Sequence, residues 1–320
     1  MIDLIRYIIT TRNNENIIEA CLDSIIKQHK KYVPKITIVD DNSSDNTVSL
    51  IKKKYRFVEI IDCKENKGPS SNRNKAIFSH DEKYFIFMDS DATLSSDWTS
   101  TAFNFLESNS KVGILGGKIV GEGGTLQSAG GEFHCGGTGW LVDDKDFENK
   151  DRYCFWLPSS TFITRSDIIK EIGGFDEDYV YLYEDLDICW RVWLKGFFVY
   201  YNSKLLSSHL MSKTTNTEYT LGYKMYLSKR NKITTIIKNS EFIVLIISSP
   251  IILLIILGEI IFLRNKYQIL RGNFSILTNC YKIIKKRSKN LKNIQKEKFK
   301  NQRKMYYKNH IQFIRMCLKI

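Results

Sequence analysis

An apolar run over residues 84–87 leads directly into Met88-Asp89-Ser90-Asp91, and this stretch constrains the fold more than any other. A short run of large apolar residues is typical of a β-strand buried on both faces. Asp89 and Asp91 are two residues apart, so in strand geometry both carboxylates point to the same side. Ligands of open α/β sheets bind at the carboxyl ends of the strands. The run therefore predicts a central strand that delivers two acids to a binding edge.

Strand-like and helix-like segments alternate along the front of the chain. Predicted strands cover residues 4–10, 35–39, 57–62, 84–88, 112–116 and 197–201. Predicted helices cover residues 15–28, 48–54, 71–79, 98–106, 166–172 and 184–195. This alternation predicts an α/β fold with a mostly parallel sheet flanked by helices on both faces. Residues 121–140, which are rich in glycine, are expected to form a mobile loop.

The net charge of +13 is concentrated in one part of the chain. Residues 264–320 contain 17 Lys and Arg but a single acid, Glu297, whereas the remainder carries 31 basic and 34 acidic residues. The front of the chain is therefore electrostatically ordinary, and we do not expect nucleic acid as its partner. Seven dispersed cysteines without Cys-x-x-Cys spacing argue against a disulfide framework and favour a reduced, cytoplasmic location.

Residues 242–263 form an apolar segment long enough to span a bilayer. Basic residues flank both of its ends, and Pro250 near its middle can bend a helix. We therefore expect a bent, re-entrant or interfacial helix with both ends on the cytoplasmic side, the alternative being a buried helix of a soluble domain. The basic helical tail over 264–320 suits the surface of an anionic leaflet. A solvated helical hairpin, or RNA binding by the tail, are the alternatives there.

These boundaries predict three parts. Residues 1–224 would form the catalytic domain, residues 225–263 a connecting helix with the membrane-associated segment, and residues 264–320 the tail at the membrane surface. The expected location is the cytoplasmic face of the cell membrane.

The candidate metal ligands are Asp89, Asp91 and His209. Carboxylate oxygens suit Mg²⁺ or Mn²⁺, which proteins often hold with one or two carboxylates and substrate phosphates. His209 follows the last predicted strand, and a neutral imidazole is a reasonable third ligand for Mn²⁺. A solvated turn with two incidental acids is the alternative for the Asp pair.

Three further groups of polar residues surround this pair in the predicted order of elements. Asp40 and Asp41 end the second strand, where a carboxylate can accept hydrogen bonds from a ribose or a pyrimidine. Arg73 lies in a basic segment that begins a helix, which suits a diphosphate. Glu184 and Asp185 open another helix, where a carboxylate that faces a cleft can act as a general base. Helix capping is the alternative for these two acids.

The combination resembles family 2 glycosyltransferases of the GT-A fold, in particular members that transfer rhamnose or galactofuranose. The matching stretches are Ile9-Thr10-Thr11-Arg12-Asn13, Val39-Asp40-Asp41-Asn42-Ser43-Ser44-Asp45, Arg73-Asn74-Lys75-Ala76, Asp89-Ser90-Asp91, Gly173-Gly174-Phe175-Asp176-Glu177, Glu184-Asp185-Leu186-Asp187 and His209. They cover residues 1 to about 215 in the order of the family. One departure is Thr10-Thr11-Arg12, where the family often has Pro-Thr-Tyr. We expect this departure to alter the nucleotide pocket rather than the fold.

This resemblance implies transfer of a sugar from a nucleotide-diphosphate donor with inversion at the anomeric carbon. Thr10, Asp40 and Asp41 would bind the nucleoside, and Asp89 and Arg73 the diphosphate side of the donor. Asp185 would be the base, with Glu184 as the alternate. The acceptor would be a saccharide, expected to be polyprenyl-linked, in a site shaped by residues 121–140 and 153–160.

Two other functions fit part of the pattern. A nucleotidyltransferase can share the fold, but it would need a glycine-rich phosphate loop on the first strand, and residues 4–16 contain no glycine. A membrane-anchored scaffold that binds nucleotide sugars without catalysis would not need the four acids at positions 89, 91, 184 and 185.

Overall fold

The structure is a computed structural model, and the expected tail beyond residue 292 lies outside the residues it describes. The described residues are 1–29, 32–133, 139–142, 145–210, 220–262 and 266–292.

Strands and helices alternate along the first half of the described chain, as the pattern predicts. The strands are β1 (Ile5–Thr11), β2 (Lys35–Asp40), β3 (Glu59–Asp62), β4 (Tyr84–Asp89), β5 (Ala92–Leu94), β6 (Val112–Val120), β7 (Leu126–Ser128), β8 (Gly131–Phe133), β9 (Gly139–Leu141), β10 (Arg152–Tyr153), β11 (Thr161–Arg165) and β12 (Phe198–His209). The helices are α1 (Ile18–Gln28), α2 (Thr47–Lys54), α3 (Gly68–Ser79), α4 (Trp98–Ser108), α5 (Lys145–Glu148), α6 (Ser166–Glu171), α7 (Glu184–Leu194), α8 (Leu221–Asn239), α9 (Phe242–Phe262), α10 (Lys266–Thr278) and α11 (Cys280–Leu291).

One ten-stranded sheet forms the centre of the molecule, with the path β10-β12-β6-β11-β4-β1-β2-β3 and with β5 and β7 paired to β12 and β6. The four strands at one end of this path, β4, β1, β2 and β3, are parallel. The expectation of a mostly parallel sheet holds for these four strands and for the β6–β12 pair, whereas β11 inserts antiparallel between β4 and β6. The architecture is therefore a mixed α/β sheet flanked by helices.

Strand β4 is buried on both faces, as its apolar sequence predicts. Tyr84, Ile86 and Met88 belong to one hydrophobic cluster. Phe85 and Phe87, which alternate with them, belong to a second cluster. Each cluster contains residues of helices as well as strands, so helices cover both sides of the sheet at this point.

The glycine-rich segment is more ordered than expected. Its described residues include β7, which pairs with β6, and β8, which pairs with β9 in a small second sheet. The prediction of a mobile loop over 121–140 is wrong for these strands, because backbone pairing of β7 with β6 and of β8 with β9 orders the segment despite its glycines. Residues 134–138 lie outside the described part.

The boundary expected near residue 224 falls inside helix α8, which is continuous from Leu221 to Asn239. This helix packs against the segment that leads into α7. Its Lys238 has a side chain only 1% exposed and forms ion pairs with Asp176 and with Asp187, the latter at 2.9 Å. Asn239 donates a hydrogen bond of 2.8 Å to the same Asp187 carboxylate. Residues 225–239 are therefore part of the packed domain rather than a connection to it.

The apolar segment forms helix α9. Leu245 and Ile252 pack against the cluster that contains Leu186 and Trp190 of α7. Other apolar side chains of the helix are exposed: Phe242, Ile246, Leu253, Leu254, Leu257 and Ile261. Within the described residues, no helix has the length and apolarity needed to cross a bilayer.

Replacing Lys238 with Met is expected to destabilise the protein by about 3–5 kcal/mol, because two buried carboxylates would lose their shared cation. Urea denaturation followed by circular dichroism measures this change. Lys282→Met is the matched control, since the Lys282–Asp178 pair at 2.5 Å is exposed and such pairs contribute about 0–1 kcal/mol. Equal effects of the two changes would contradict a structural role for the buried pair.

The pH dependence provides a second check. Burial would raise the pKa of Asp176, but the ammonium groups of Lys238 and Lys286 outweigh burial and lower it. In Asp187, too, burial is opposed by Lys238 and Arg191, and the pKa is lowered. These carboxylates therefore stabilise the fold fully above the unfolded carboxyl pKa of about 4, and the contribution is lost as the pH falls through their folded pKa values. The difference in unfolding free energy between wild type and Lys238→Met should therefore become smaller as the pH falls through that acidic range.

Candidate active site

Asp89, Asp91 and His209 converge at the end of β4. Asp89 is the last residue of β4, and the short strand β5 that follows pairs antiparallel with β12 so that Ala92 lies opposite His209. His209 Nε2 is 3.2 Å from Asp91 Oδ1 and 3.6 Å from Asp89 Oδ2. The three potential ligand atoms lie within 4.8 Å of one another. The pairing of β5 with β12 therefore creates the cluster that the sequence predicts.

The donor set of this cluster fits a divalent cation. Two carboxylate oxygens and one imidazole nitrogen are ligands that Mn²⁺ accepts readily, and Mg²⁺ accepts the oxygens. Burial opposes a charge on His209, but the hydrogen bond to Asp91 and the charges of Asp89 and Asp91 outweigh burial and raise its pKa. The same negative field that favours a proton on the imidazole favours a metal ion between the three side chains.

Arg73 reaches the cluster from helix α3. Its side chain is 3% exposed, and Nη2 donates a hydrogen bond of 2.8 Å to Asp89 Oδ1. The guanidinium also stacks over the ring of Phe175, with Cζ 5.1 Å from the ring centroid. Among the described residues, Nε and Nη1 have no hydrogen-bond partner. The buried cation thus keeps hydrogen-bonding capacity that these residues do not use.

The Gly173-Gly174-Phe175-Asp176-Glu177 motif holds α3 and Arg73 in place. Asn74 donates hydrogen bonds to Phe175 O at 2.9 Å and to Glu177 Oε1 at 3.0 Å, and it accepts one from Phe175 N at 2.8 Å. Gly174 has a φ of 67°, and a Cβ there would lie 2.3 Å from Asn74 Oδ1. Only glycine allows this approach. The motif is therefore a support for the neighbour of Arg73.

Glu184 and Asp185 begin α7 at the wall of the same cavity. Asp185 Oδ1 accepts a short hydrogen bond from the hydroxyl of Ser159, which precedes β11. In Glu184, Oε2 is buried without a hydrogen-bond partner among the described residues. Ser159 thus fixes the orientation of one of the two carboxylates and leaves the other unsupported.

Both carboxyl groups are harder to ionise than usual. Burial raises the pKa of Glu184 to about 8, with a further contribution from the charge of Asp185. Burial also raises the pKa of Asp185, but Arg73 and the hydrogen bond from Ser159 oppose the rise. Of the two, Asp185 has the hydrogen bond from Ser159, which favours its ionised form.

The predicted nucleoside-binding residues separate into two groups. Thr10 and Asp41 line the cavity. Asp41 accepts hydrogen bonds from the backbone amides of Lys67 at 2.9 Å and Gly68 at 3.1 Å, so it already occupies the start of α3 that we expected to meet a diphosphate. Asp40 is not among the residues that line this cavity, since its two oxygens accept hydrogen bonds from the hydroxyl and the amide of Ser43.

One cavity of about 800 Å³ brings most of the predicted residues together. Those in its wall are Thr10, Asp41, Arg73, Asp89, Asp91, Glu184, Asp185 and His209. Trp156 and Pro158 also line it, as expected for the segment over 153–160, whereas the side chain of Trp140 lies outside the described residues. A cavity of this size accommodates a small-molecule ligand.

Two features of the site were not predicted. Ser159 orients Asp185, and the only sequence signal for it was its place in the segment assigned to the acceptor. Asp187, in contrast, points away from the cavity into the buried ion pair with Lys238. Besides Arg191, four residues later in α7, its partners are Lys238 and Asn239 of α8, about fifty positions along the chain, and local sequence could not indicate these two.

Asp91→Asn is expected to remove measurable Mn²⁺ binding, because it takes away one of two anionic ligands while preserving side-chain size. Titration calorimetry of the full chain with MnCl₂ measures this binding. Asp97→Asn is the matched control, since Asp97 is exposed at the start of α4 and does not line the cavity. Unchanged Mn²⁺ affinity in Asp91→Asn would exclude Asp91 as a ligand.

Comparison with solved structures shows the fold. Over 95% of this chain and 93% of the other, it is similar to TarS 1–349 from S. aureus in complex with UDP-GlcNAc, with a TM-score of 0.59 and 18% identity. It is also similar to the mannosyltransferase PcManGT from Pyrobaculum calidifontis in complex with GDP-Man and Mn²⁺, over 87% of this chain and 75% of the other, with a TM-score of 0.55 and 15% identity. The chain therefore has the GT-A-like arrangement expected from the sequence.

Curated relatives match in sequence over parts of their length. A poly(ribitol-phosphate) β-glucosyltransferase from Bacillus spizizenii is 35% identical over 125 residues, which are 38% of this chain and 20% of that protein. A poly-β-1,6-N-acetyl-D-glucosamine synthase from Staphylococcus epidermidis is 22% identical over 223 residues, which are 66% of this chain and 50% of that protein. The sequence model of glycosyl transferase family 2 matches residues 7–172, just over half of the chain, and the chain therefore belongs to that family.

Proposed function

We propose that the chain transfers a hexosyl or deoxyhexosyl group from a nucleotide-diphosphate sugar to a hydroxyl of a saccharide acceptor, with inversion at the anomeric carbon. The observation that carries the proposal is the single cavity in which a metal-ligand cluster, a buried arginine and a carboxylate pair meet. Direct displacement needs a base and a stabilised leaving group, and these groups supply both.

Asp89, Asp91 and His209 would hold Mn²⁺ or Mg²⁺, which, when bound, offsets the negative charge on the departing diphosphate. Arg73 adds to this stabilisation through the positive charge of its guanidinium, which lies in the cavity wall and is held by Asp89 and the ring of Phe175. Thr10 and Asp41, in the wall of the same cavity, contact the nucleoside.

Asp185 is the base that takes the proton from the acceptor hydroxyl. The hydrogen bond from Ser159 orients its carboxylate and, with the nearby charge of Arg73, opposes the rise in pKa that burial causes, whereas burial raises the pKa of Glu184 to about 8. Glu184 is therefore the alternate base. Trp156 presents a flat apolar face in the cavity wall, which suits the acceptor sugar.

The acceptor belongs to cell-surface glycan or glycoprotein glycan assembly and is polyprenyl-linked in this proposal. The matched relatives from Bacillus and Staphylococcus are, by name, a poly(ribitol-phosphate) glucosyltransferase and a synthase of an N-acetylglucosamine polymer, which supports a polymer-building role. Because these relatives match over only part of their length, the identity of the acceptor is a proposal.

We further propose that the chain works at the cytoplasmic face of the cell membrane. Helix α9 packs one side on the domain and exposes apolar side chains on the other, and the following sequence over 264–320 is strongly basic. An apolar face next to basic residues is suited to the surface of an anionic bilayer.

Asp185→Asn is expected to lower kcat by about 10²–10⁴-fold, because the amide cannot accept the proton. Release of nucleoside diphosphate from UDP-, dTDP- and GDP-sugars, in the presence of Mn²⁺ and candidate acceptors, measures the rate. The affinity for the donor should change little, and calorimetry checks it. Glu171→Gln, an exposed change in the Glu171–Lys195 surface pair, serves as the control.

Two results would contradict this proposal. Near-normal transfer by Asp185→Asn, with donor bound normally, would show that another group is the base. No turnover of any of the three nucleotide-sugar classes, with lipid-linked acceptors present, would exclude the transferase and favour a scaffold that binds nucleotide sugars.

Membrane association predicts that the full chain floats with vesicles containing anionic lipid and that exchanging Leu254 and Ile261 for Ser reduces the floating fraction. Both side chains are exposed on α9, so the loss reflects apolar area rather than folding. Leu245→Ser is not equivalent, because that side chain packs on the domain. Equal flotation of the double variant and wild type would contradict the assigned face.

A further inference from the structure

The backbone adopts an unfavourable turn immediately before the carboxylate pair. Leu182 and Tyr183 have φ angles of 68° and 72°. Residues with a Cβ rarely adopt this left-handed region, and two in succession persist only where neighbouring contacts hold them. Glu184, the next residue, begins α7. The direction in which Glu184 and Asp185 leave the turn therefore depends on whatever fixes it.

Asn231 of α8 forms two hydrogen bonds with the backbone of this turn. Its Nδ2 donates hydrogen bonds to Tyr181 O at 2.9 Å and to Leu182 O at 2.8 Å. The side chain is buried, with the whole residue 1% exposed. Both hydrogens of one amide nitrogen thus bind consecutive carbonyls on the strained segment.

The orientation of this amide is also fixed. Asn231 Oδ1 accepts a hydrogen bond of 2.9 Å from Arg230 Nε, and Arg230 Nη2 donates one of 2.7 Å to Asp178 O. An amide combines two donor hydrogens with an acceptor oxygen, and neither aspartate nor leucine of similar size can make the same set of bonds.

We infer that Asn231 is a positioning residue for the reaction: it holds the turn over 181–183 in the conformation that points Glu184 and Asp185 into the cavity. This inference rests on the function proposed above. Asn231 does not touch the cavity itself, and its action passes through two backbone carbonyls. Misplacement of a catalytic group by about 1 Å can cost on the order of 10²-fold in rate.

The test uses the full chain with Asn231→Ala. We expect kcat to fall about 10–100-fold, while KM for the nucleotide sugar and the Mn²⁺ affinity stay near wild type. The rate is expressed per molecule that binds Mn²⁺, so that inactive protein is not counted. Hydrogen exchange followed by mass spectrometry should show faster exchange in the peptide that covers 181–187. Asn273→Ala is the matched control, because the Asn273 amide on α10 has no hydrogen-bond partner among the described residues.

A second change tests the mechanism of positioning. Glycine adopts positive φ without strain, so adding Leu182→Gly to Asn231→Ala should recover part of the lost kcat. Replacing Asn231 with Asp should reproduce the loss, because a carboxylate would repel both carbonyls.

The outcomes separate the two proposals. If wild type turns over no nucleotide sugar, the proposed function fails, and the exchange rates over 181–187 still decide whether Asn231 holds the turn. Unchanged exchange in that peptide, or unchanged normalised kcat in Asn231→Ala with only a uniform loss of stability, would overturn the inference. The inference would be supported by faster hydrogen exchange confined to that peptide, together with a fall in kcat that Leu182→Gly partly reverses.

Discussion

The crowding of negative charge around one cavity is the constraint on which the rest of the structure depends. Asp89, Asp91, Glu184 and Asp185 all line it, and the buried Arg73 donates a hydrogen bond to Asp89. Carboxylates this close repel one another and resist ionisation when buried, as the raised pKa of Glu184 shows. A bound divalent cation would offset this field, and without one the fold itself must hold the four acids in place.

The support for these acids comes from distant parts of the chain. Lys238 and Asn231 of α8 bind the segment before and within α7, through a buried ion pair and through two backbone carbonyls. Lys286 of α11 adds a second ion pair to Asp176. The helices that follow the sheet are thus part of the site's framework, and their removal would free the segment that carries Asp185.

Local sequence predicts the parallel strands and the acids that follow them, because the carboxyl ends of β1, β2 and β4 meet at one edge. It also indicates His209, although the pairing of β5 with β12 that brings it to Asp91 was not predicted. Sequence could not distinguish Asp185 from Asp187, since the difference lies in Ser159 on one side and Lys238 on the other. The antiparallel insertion of β11 was missed for the same reason: its partners are non-local.

The stereochemistry of transfer tests the central claim most directly. In the proposed mechanism, Asp185 activates the acceptor hydroxyl for direct displacement of the diphosphate, with no covalent intermediate on the enzyme. Proton NMR of the glycoside formed from an α-linked nucleotide sugar gives the anomeric configuration of the product. A β-linked product is predicted. An α-linked product would contradict direct displacement and the role assigned to Asp185.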